Sequence, residues 1–294
     1  MTAWTAGAAT LAPAKINLYL KVLGLRPDGY HELDTVMARL DVADRLWICP
    51  AESREDTLEA VESPIILPPG FCGPDNLTLK AAAAFRRQTG WPEQGLSLRI
   101  EKNIPLGAGL GGGSSDCAAV LSRLNQLAPN PLNQKELEAM GLTLGADVPF
   151  FLQPAPIARA AGVGERFSAP PKGFEVWAGA EIILVNPGLH LSTAQVFKNW
   201  DLTNEAAKNN LAPISQPPRV GENSLLASAR MLASELETVV EAIEKFRPAA
   251  WGLSGSGPTF WLCEPGVAGD FGRHPQWWVR SVKIAQYPGL TGCD

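Results

Sequence analysis

Apolar residues recur along this chain at two spacings. Alternating or β-branched apolar runs at 14–23, 46–49, 96–100, 182–185 and 259–262 are bounded by Gly, Pro, Asn or charged residues, and predict strands. Helical spacing predicts a helix over 76–89 that stops at Gly90. A second helix is expected over 115–127, where Cys117, Val120, Leu121, Leu124 and Leu127 form one apolar stripe. A third runs over 134–142, with Asn133 as cap and Glu136 three residues on. The fourth and longest is expected over 225–246, ended by Pro248. Strand and helix signals mix without a repeat, so the class is α/β or α+β. The Pro, Ala and Gly-rich stretch 153–173 reads as a domain junction, and the polar, proline-bearing stretch 206–218 as a surface insertion.

At 294 residues, 46% hydrophobic and 19% charged, the composition excludes a disordered chain. A net charge of −5 provides no global field for a nucleic-acid backbone, so no nucleic-acid partner is expected. The five cysteines, Cys49, Cys72, Cys117, Cys263 and Cys293, are odd in number and none stands in a C-x-x-C pair, against a disulfide framework or zinc site. Neither Lys nor Arg precedes Lys15 and no apolar stretch reaches the length of a membrane span, so a cytoplasmic protein without a membrane partner is expected.

The strongest local signal is the run Pro105, Leu106, Gly107, Ala108, Gly109, Leu110, Gly111, Gly112, Gly113, Ser114, Ser115, Asp116, leading straight into the second helix. Glycines at this density let the backbone curl with positive φ and approach a ligand closely. The unpaired N–H groups of the helix start then face the curl and favour an anion, which makes a phosphate cradle. Gly107, Gly109 and Gly112 satisfy G-x-G-x-x-G, but Pro105 precedes the run and the position twenty residues after Gly112 is Leu132 rather than an acid. A Walker A loop would need Lys and then Ser or Thr where Gly113 and Ser114 stand. The alternative is a glycine-rich surface loop without a ligand.

Four weaker signals accompany it. Ser254, Gly255, Ser256 and Gly257 form a second Gly/Ser loop before the strand at 259–262, either an ordinary turn or a lid over the same phosphates. Lys15 and Asn17 share one face of the first strand by period two, the placement of a half-exposed edge or of a pair that orients a hydroxyl or phosphate. Asp147 stands among small and apolar residues as a helix cap or a catalytic carboxylate, with Lys15 as a candidate partner cation. Tyr30 and His31 follow the turn at Pro27, Asp28 and Gly29, and could pack plainly or recognise a heterocycle by stacking and hydrogen bonding.

In this order the motifs resemble the GHMP kinase superfamily. P-A-K-I-N-L, R-P-D-G-Y-H-E-L, P-L-G-A-G-L-G-G-G-S-S-D, G-A-D-V-P-F-F and L-S-G-S-G-P-T are similar to its branch that phosphorylates CDP-methylerythritol, from about residue 11 to 262. The resemblance implies an α+β fold of two domains, the first of the ribosomal-protein-S5 type (1–160) and the second ferredoxin-like (161–294). It implies ATP and Mg²⁺ as cofactors, held by the loops 105–115 and 254–257, with Ser114 or Ser115 reaching the metal. It makes Asp147 the base and Lys15 its partner, and puts Asn17, Tyr30, His31, Thr193 and Phe197 around the cytidine end of a small-molecule substrate. A monomer or weak homodimer is expected. The stretch 206–218 and the tail after Pro265 have no clear counterpart in that pattern.

Overall fold

A computed structural model describes residues 9–204, 217–264, 266 and 268–286 of the chain. Residues 206–216 of the expected insertion lie outside the described residues, as do the tail from 287 and Cys293. In chain order the elements are β1 (Thr10–Leu25), β2 (His31–Pro50), β3 (Thr57–Ala60), α1 (Leu77–Thr89), β4 (Leu96–Glu101), α2 (Gly112–Leu127), α3 (Gln134–Leu144), α4 (Val148–Leu152), β5 (Ile157–Gly162), β6 (Arg166–Ser168), β7 (Glu181–Asn186), α5 (Thr193–Thr203), α6 (Leu226–Leu232), α7 (Glu235–Glu244), β8 (Ala250–Leu253), β9 (Phe260–Cys263) and β10 (Trp278–Lys283).

The class is α+β. One sheet has six strands in the order β3-β4-β2-β5-β6, with β1 paired to β2, and the other has four in the order β10-β7-β9-β8. Helices α1 to α4 cover the first sheet through a core containing Phe85, Ile100, Val120, Leu124 and Phe150. A second core joins the sheets, with Ile16, Leu18 and Leu40 against Ile182, Leu184 and Trp261. The third lies between the four-stranded sheet and α5 to α7, through Val185, Phe260, Val196, Leu236 and Val239.

Three expectations change. The strand at 46–49 is the end of the twenty-residue β2. Residues 34–40 of β2 are buried on both faces, and the buried polar Asp34, Thr35 and Arg39 interrupt the apolar pattern that would have revealed it. The long helix at 225–246 is two helices, broken where Ala233 turns extended and Ser234 starts α7 with Glu237 three residues on, a helix-start signature within the run. Arg230 and Glu237 form an ion pair across the break. Most of the stretch 153–173 lies within the first sheet, because β5 pairs with β2 and β6 with β5. A cut between 160 and 161 falls inside β5. Among the described residues no helix is long and apolar enough to cross a membrane.

Beneath the start of α2 lies a fully buried charge cluster. Lys102 Nζ donates to Asp116 Oδ2 at 2.6 Å and also to Asp44 Oδ2. Asp44 Oδ1 accepts from the N–H groups of Asn103 and Ile104 at 2.6 and 2.9 Å. Asp116 Oδ1 has no partner. Burial pushes the Asp116 carboxyl up to about 8 against the pull of Lys102, with Asp44 pushing the same way as burial. A carboxyl whose folded pKa exceeds its unfolded value stabilises the fold at low pH and loses that contribution as pH rises through the folded pKa. Unfolding free energy is therefore expected to fall between pH 7 and 9 by about 1 kcal/mol from this group. Urea titrations of wild type and Asp116→Asn across that range check it: the variant, locked neutral, should show a correspondingly smaller fall, and parallel curves would contradict it.

Candidate active site

The glycine run closes into a loop because Gly107, Gly109 and Gly111 all take positive φ. Gly111, at φ 70°, is the N-cap of α2, so the helix starts at Gly112, three residues earlier than the apolar stripe alone indicates. Ser115 N–H donates to Gly111 O at 2.8 Å and closes the first turn. The N–H groups of Gly112, Gly113 and Ser114 have no carbonyl within the helix to meet them. A Cβ on Gly111 would stand 2.9 Å from Phe151 Cζ and 3.0 Å from Lys15 Cγ, so the position has no room for a side chain. Ser114 lines the cleft described below, whereas the Ser115 hydroxyl is sealed and unpartnered.

Strand β1 brings its two polar residues to this loop. Lys15 N–H donates to Leu110 O at 2.9 Å, and the Lys15 side chain is buried. Its Nζ donates to Asn17 Oδ1 at 2.8 Å and lies 3.4 Å from Asp147 Oδ2. Asp147 occupies the N-cap position of α4 but makes no side-chain capping bond, and its side chain is 38% exposed. Of the two roles open to this carboxylate, capping is therefore not used. Arg39 holds α4 from the other end, donating to Phe150 O at 2.7 Å and to Gln153 O. Burial pulls the Arg39 guanidinium down to about 10.

The second Gly/Ser loop closes against the first. Ser254 Oγ donates to Gly109 O at 2.8 Å, Thr259 N–H to Ala108 O at 3.3 Å and Gly255 N–H to Asn17 Oδ1 at 2.8 Å. The hydroxyls of Ser256 and Thr193 lie 2.9 Å apart and tie this loop to the start of α5. A Cβ on Gly257 would stand 3.0 Å from Leu253 Cδ1, and Leu106 and Pro105 stand at the start of the first loop, outside the cleft lining.

Between these pieces runs a cleft of about 750 Å³. Its lining includes Lys15, Asn17, Gly109, Gly111, Ser114, Asp147, Gly255 and Ser256, with Thr193 beside Ser256, and Tyr30, His31 and Phe197 form its aromatic end. The loop residues Gly107, Ala108, Leu110, Gly112, Gly113, Ser115, Ser254 and Gly257 lie outside its lining. At the aromatic end, the His31 ring packs on Phe197 with centroids 4.6 Å apart, and Trp200 meets it edge-on at 5.8 Å. Tyr30, 63% exposed, stands at the rim and makes no ring contact among the described residues.

The motif reading missed Asp201 and Lys198, which also line the cleft. His31 Nε2 and Asp201 Oδ1 are 2.8 Å apart. The signal was present in helical spacing: Thr193, Phe197 and Asp201 are i, i+4 and i+8 on α5. That helix went unpredicted because its apolar stripe is short, only Val196 and Trp200 being buried.

The family model for the GHMP kinases N terminal domain matches residues 76–154. The 4-diphosphocytidyl-2-C-methyl-D-erythritol kinase of Geobacter sp. (strain M21) is 41% identical over 229 residues, 78% of this chain and 75% of that protein. The protein of the same name from Desulfotalea psychrophila is 37% identical over 294 residues, covering 96% of this chain and 90% of its own length. A crystal structure of 4-(cytidine 5'-diphospho)-2C-methyl-D-erythritol kinase superposes with a TM-score of 0.71 at 34% identity, covering 94% of this chain and 99% of that one. Homoserine kinase from Cytophaga hutchinsonii, at 15% identity and a TM-score of 0.64 over 98% of each chain, shares the fold alone. With relatives this similar over most of their length, and with the motifs gathered around one cleft, the chain belongs to the 4-diphosphocytidyl-2-C-methyl-D-erythritol kinase family of the GHMP kinases.

Proposed function

We propose that this chain transfers the γ-phosphoryl group of ATP to the 2-hydroxyl of 4-diphosphocytidyl-2-C-methyl-D-erythritol, the kinase step of the methylerythritol phosphate route to isoprenoids. The observation that carries the chemistry is the Asp147 carboxylate, free of any capping bond, 3.4 Å from the buried Lys15 ammonium on a cleft wall shared with the glycine loop. Asp147 takes the proton of the acceptor hydroxyl as its oxygen bonds to the γ-phosphorus and the bond from that phosphorus to the ADP oxygen breaks. Lys15, oriented by Asn17, stands beside Asp147 and lowers the cost of charge building on the moving phosphoryl group. The N–H groups of Gly112, Gly113 and Ser114 face the nucleotide's phosphates from the positive end of α2.

No group of three or more His, Cys, Asp or Glu able to hold a metal occurs among the described residues. The cleft-facing Ser114 hydroxyl, not the sealed Ser115, would be the protein ligand to a Mg²⁺ that arrives with the phosphates. When bound, that ion neutralises phosphate charge. At the far end His31, Phe197, Tyr30 and Thr193 take the cytidine, while Asn17, whose side chain is engaged with Lys15, Gly255 and Thr35, supports the lysine instead of the base. The reading places the reaction on free small molecules in the cytoplasm, the chain acting as a monomer or weak homodimer without nucleic acid or membrane, and the net charge of −5 supports the lack of a nucleic-acid partner. A non-catalytic binding protein of this fold would have no use for a lysine and a carboxylate held together at the cleft.

Three outcomes are expected. Asp147→Asn keeps fold and ATP binding but loses turnover by roughly 10²–10⁴-fold, the usual worth of a general base; near wild-type kcat with ATP and the cytidine substrate would refute the assignment. Gly111→Val forces a β-branched side chain into positive φ and into Phe151 and Lys15, so KM for ATP should rise about tenfold or more. Unchanged ATP affinity by calorimetry in the folded variant would reduce the loop to a turn. His31→Ala should lower kcat/KM for the full substrate by roughly 5- to 150-fold, and methylerythritol phosphate, homoserine, mevalonate and galactose should be very poor acceptors. Equal use of one of these acceptors would discard the cytidine pocket.

A further inference from the structure

We propose that Asp201 is a positioning residue that fixes the tautomer of His31 and thereby selects a cytosine base over a uracil base. The inference rests on the cytidine reading of the cleft and extends it to a residue no motif includes. A carboxylate can only accept, so at 2.8 Å from Asp201 Oδ1 the proton of the pair belongs to His31 Nε2. The pair is largely withdrawn from solvent, with side-chain exposures of 12% for His31 and 21% for Asp201. Phe197 covers one ring face at 4.6 Å and Trp200 meets the ring edge-on, so the imidazole is held from the side as well as at Nε2.

The other nitrogen is available. His31 Nδ1 makes no hydrogen bond to the described residues, and it is not enclosed: the buried side-chain atoms without partners are Arg39 Nε, Ser115 Oγ, Asp116 Oδ1 and Trp278 Nε1. His31 lines the cleft, so a ligand there meets Nδ1. In the neutral ring with Nε2 protonated, Nδ1 presents a lone pair. Cytosine carries an amino group at C4, which donates to that lone pair; uracil carries a carbonyl there, which opposes it and leaves both acceptors unpaired. Asp201, reaching across from α5 to the first residue of β2, thus converts a ring that could donate or accept into one that accepts only.

Asparagine at 201 removes this restriction, because its amide can accept from Nε2–H or donate to a bare Nε2, and both tautomers become available. The experiment compares kcat/KM for the cytidine-linked and uridine-linked diphosphate acceptors in wild type and Asp201→Asn. Alongside it, the ¹⁵N resonances of labelled histidine in the wild-type protein are recorded above the imidazole titration range; the chain has three histidines, so His31 is assignable by substitution. Wild type is expected to favour the cytidine acceptor by about tenfold or more, Asp201→Asn to lose most of that ratio, and the spectrum to show His31 protonated at Nε2 and bare at Nδ1. A folding defect would depress both acceptors together and leave the ratio standing. A wild type that does not distinguish the bases, an unchanged ratio in Asp201→Asn, or a His31 protonated at Nδ1 overturns the proposal. Inactivity of wild type with both acceptors overturns the cytidine reading instead, and the spectrum still decides the tautomer.

Discussion

The cleft depends on one side-chain amide. Asn17 accepts from Lys15 Nζ and from Gly255 N–H through the same oxygen, donates to Thr35 Oγ1 through its nitrogen, and its backbone carbonyl takes the Trp261 indole N–H. Those bonds join β1 to β2, to the second Gly/Ser loop and to β9, which belong to different sheets. A buried polar group left unpaired costs ~1–3 kcal/mol, so any arrangement that separates these elements strands several partners at once. An aspartate here would add a second carboxylate next to Lys15 and draw the ammonium away from Asp147. A leucine would leave Lys15 without its closest acceptor. The amide accepts from a cation and a backbone donor while still donating to a hydroxyl.

The glycine loop is constrained by this closure as much as by any ligand. A Cβ on Gly109 would come within 2.2 Å of Ser254 O, so the two loops approach each other at a distance that no other residue permits. The same close approach presents the curl of the first loop to the cleft with a fixed shape, which would suit the phosphate role proposed for it. Beneath it, Lys102 with Asp44 and Asp116 fixes the other side of the helix start. A buried cluster of this kind contributes little net stability but penalises alternative packings, since displacing Lys102 or Asp44 leaves the other's charge uncompensated. The cationic groups at the loop thus divide by burial and role: Lys102 is sealed and structural, while Lys15 is sealed at its stem and pairs with a carboxylate that opens to the cleft.

How much of this was legible follows from which residues need a special backbone and which need only a neighbour. The glycine run, the cap at Asn133, and the alternation of Lys15 and Asn17 are local requirements, and the chain displays them directly. Asp147 was legible as a candidate because a lone carboxylate among Gly, Ala, Val and Pro is unusual; that it leaves its capping position unused is a tertiary fact. The stretch 34–40 of β2 was hidden because Asp34, Thr35 and Arg39 are paid for by partners far away in sequence, such as Arg159 for Asp34. Asp201 was hidden for the same reason, its partner His31 lying 170 residues upstream. The break at Ser234 was legible in principle, but an uninterrupted apolar stripe outweighed a cap signal.

In the proposed reaction, the division of the cleft explains why the phosphoryl-transfer groups alone cannot account for its size. Asp147, Lys15 and the glycine loop suffice for a hydroxyl and a phosphate, and all three stand on elements of the N-terminal half. His31 also comes from that half, but Phe197, Asp201 and Thr193 are on α5, packed on the four-stranded sheet. In the proposed reading Phe197 and Asp201 belong to the base end of the cleft, so their interactions with a substrate act only through position. Binding energy realised there raises the rate when it restricts the acceptor hydroxyl to the line between Asp147 and the γ-phosphorus, since an ordered approach removes entropy that the transition state would otherwise have to lose. A substrate spanning both ends therefore completes the alignment that Asn17 begins: the amide fixes the lysine and the loops relative to one another, and the nucleotide end of the acceptor fixes the hydroxyl relative to them.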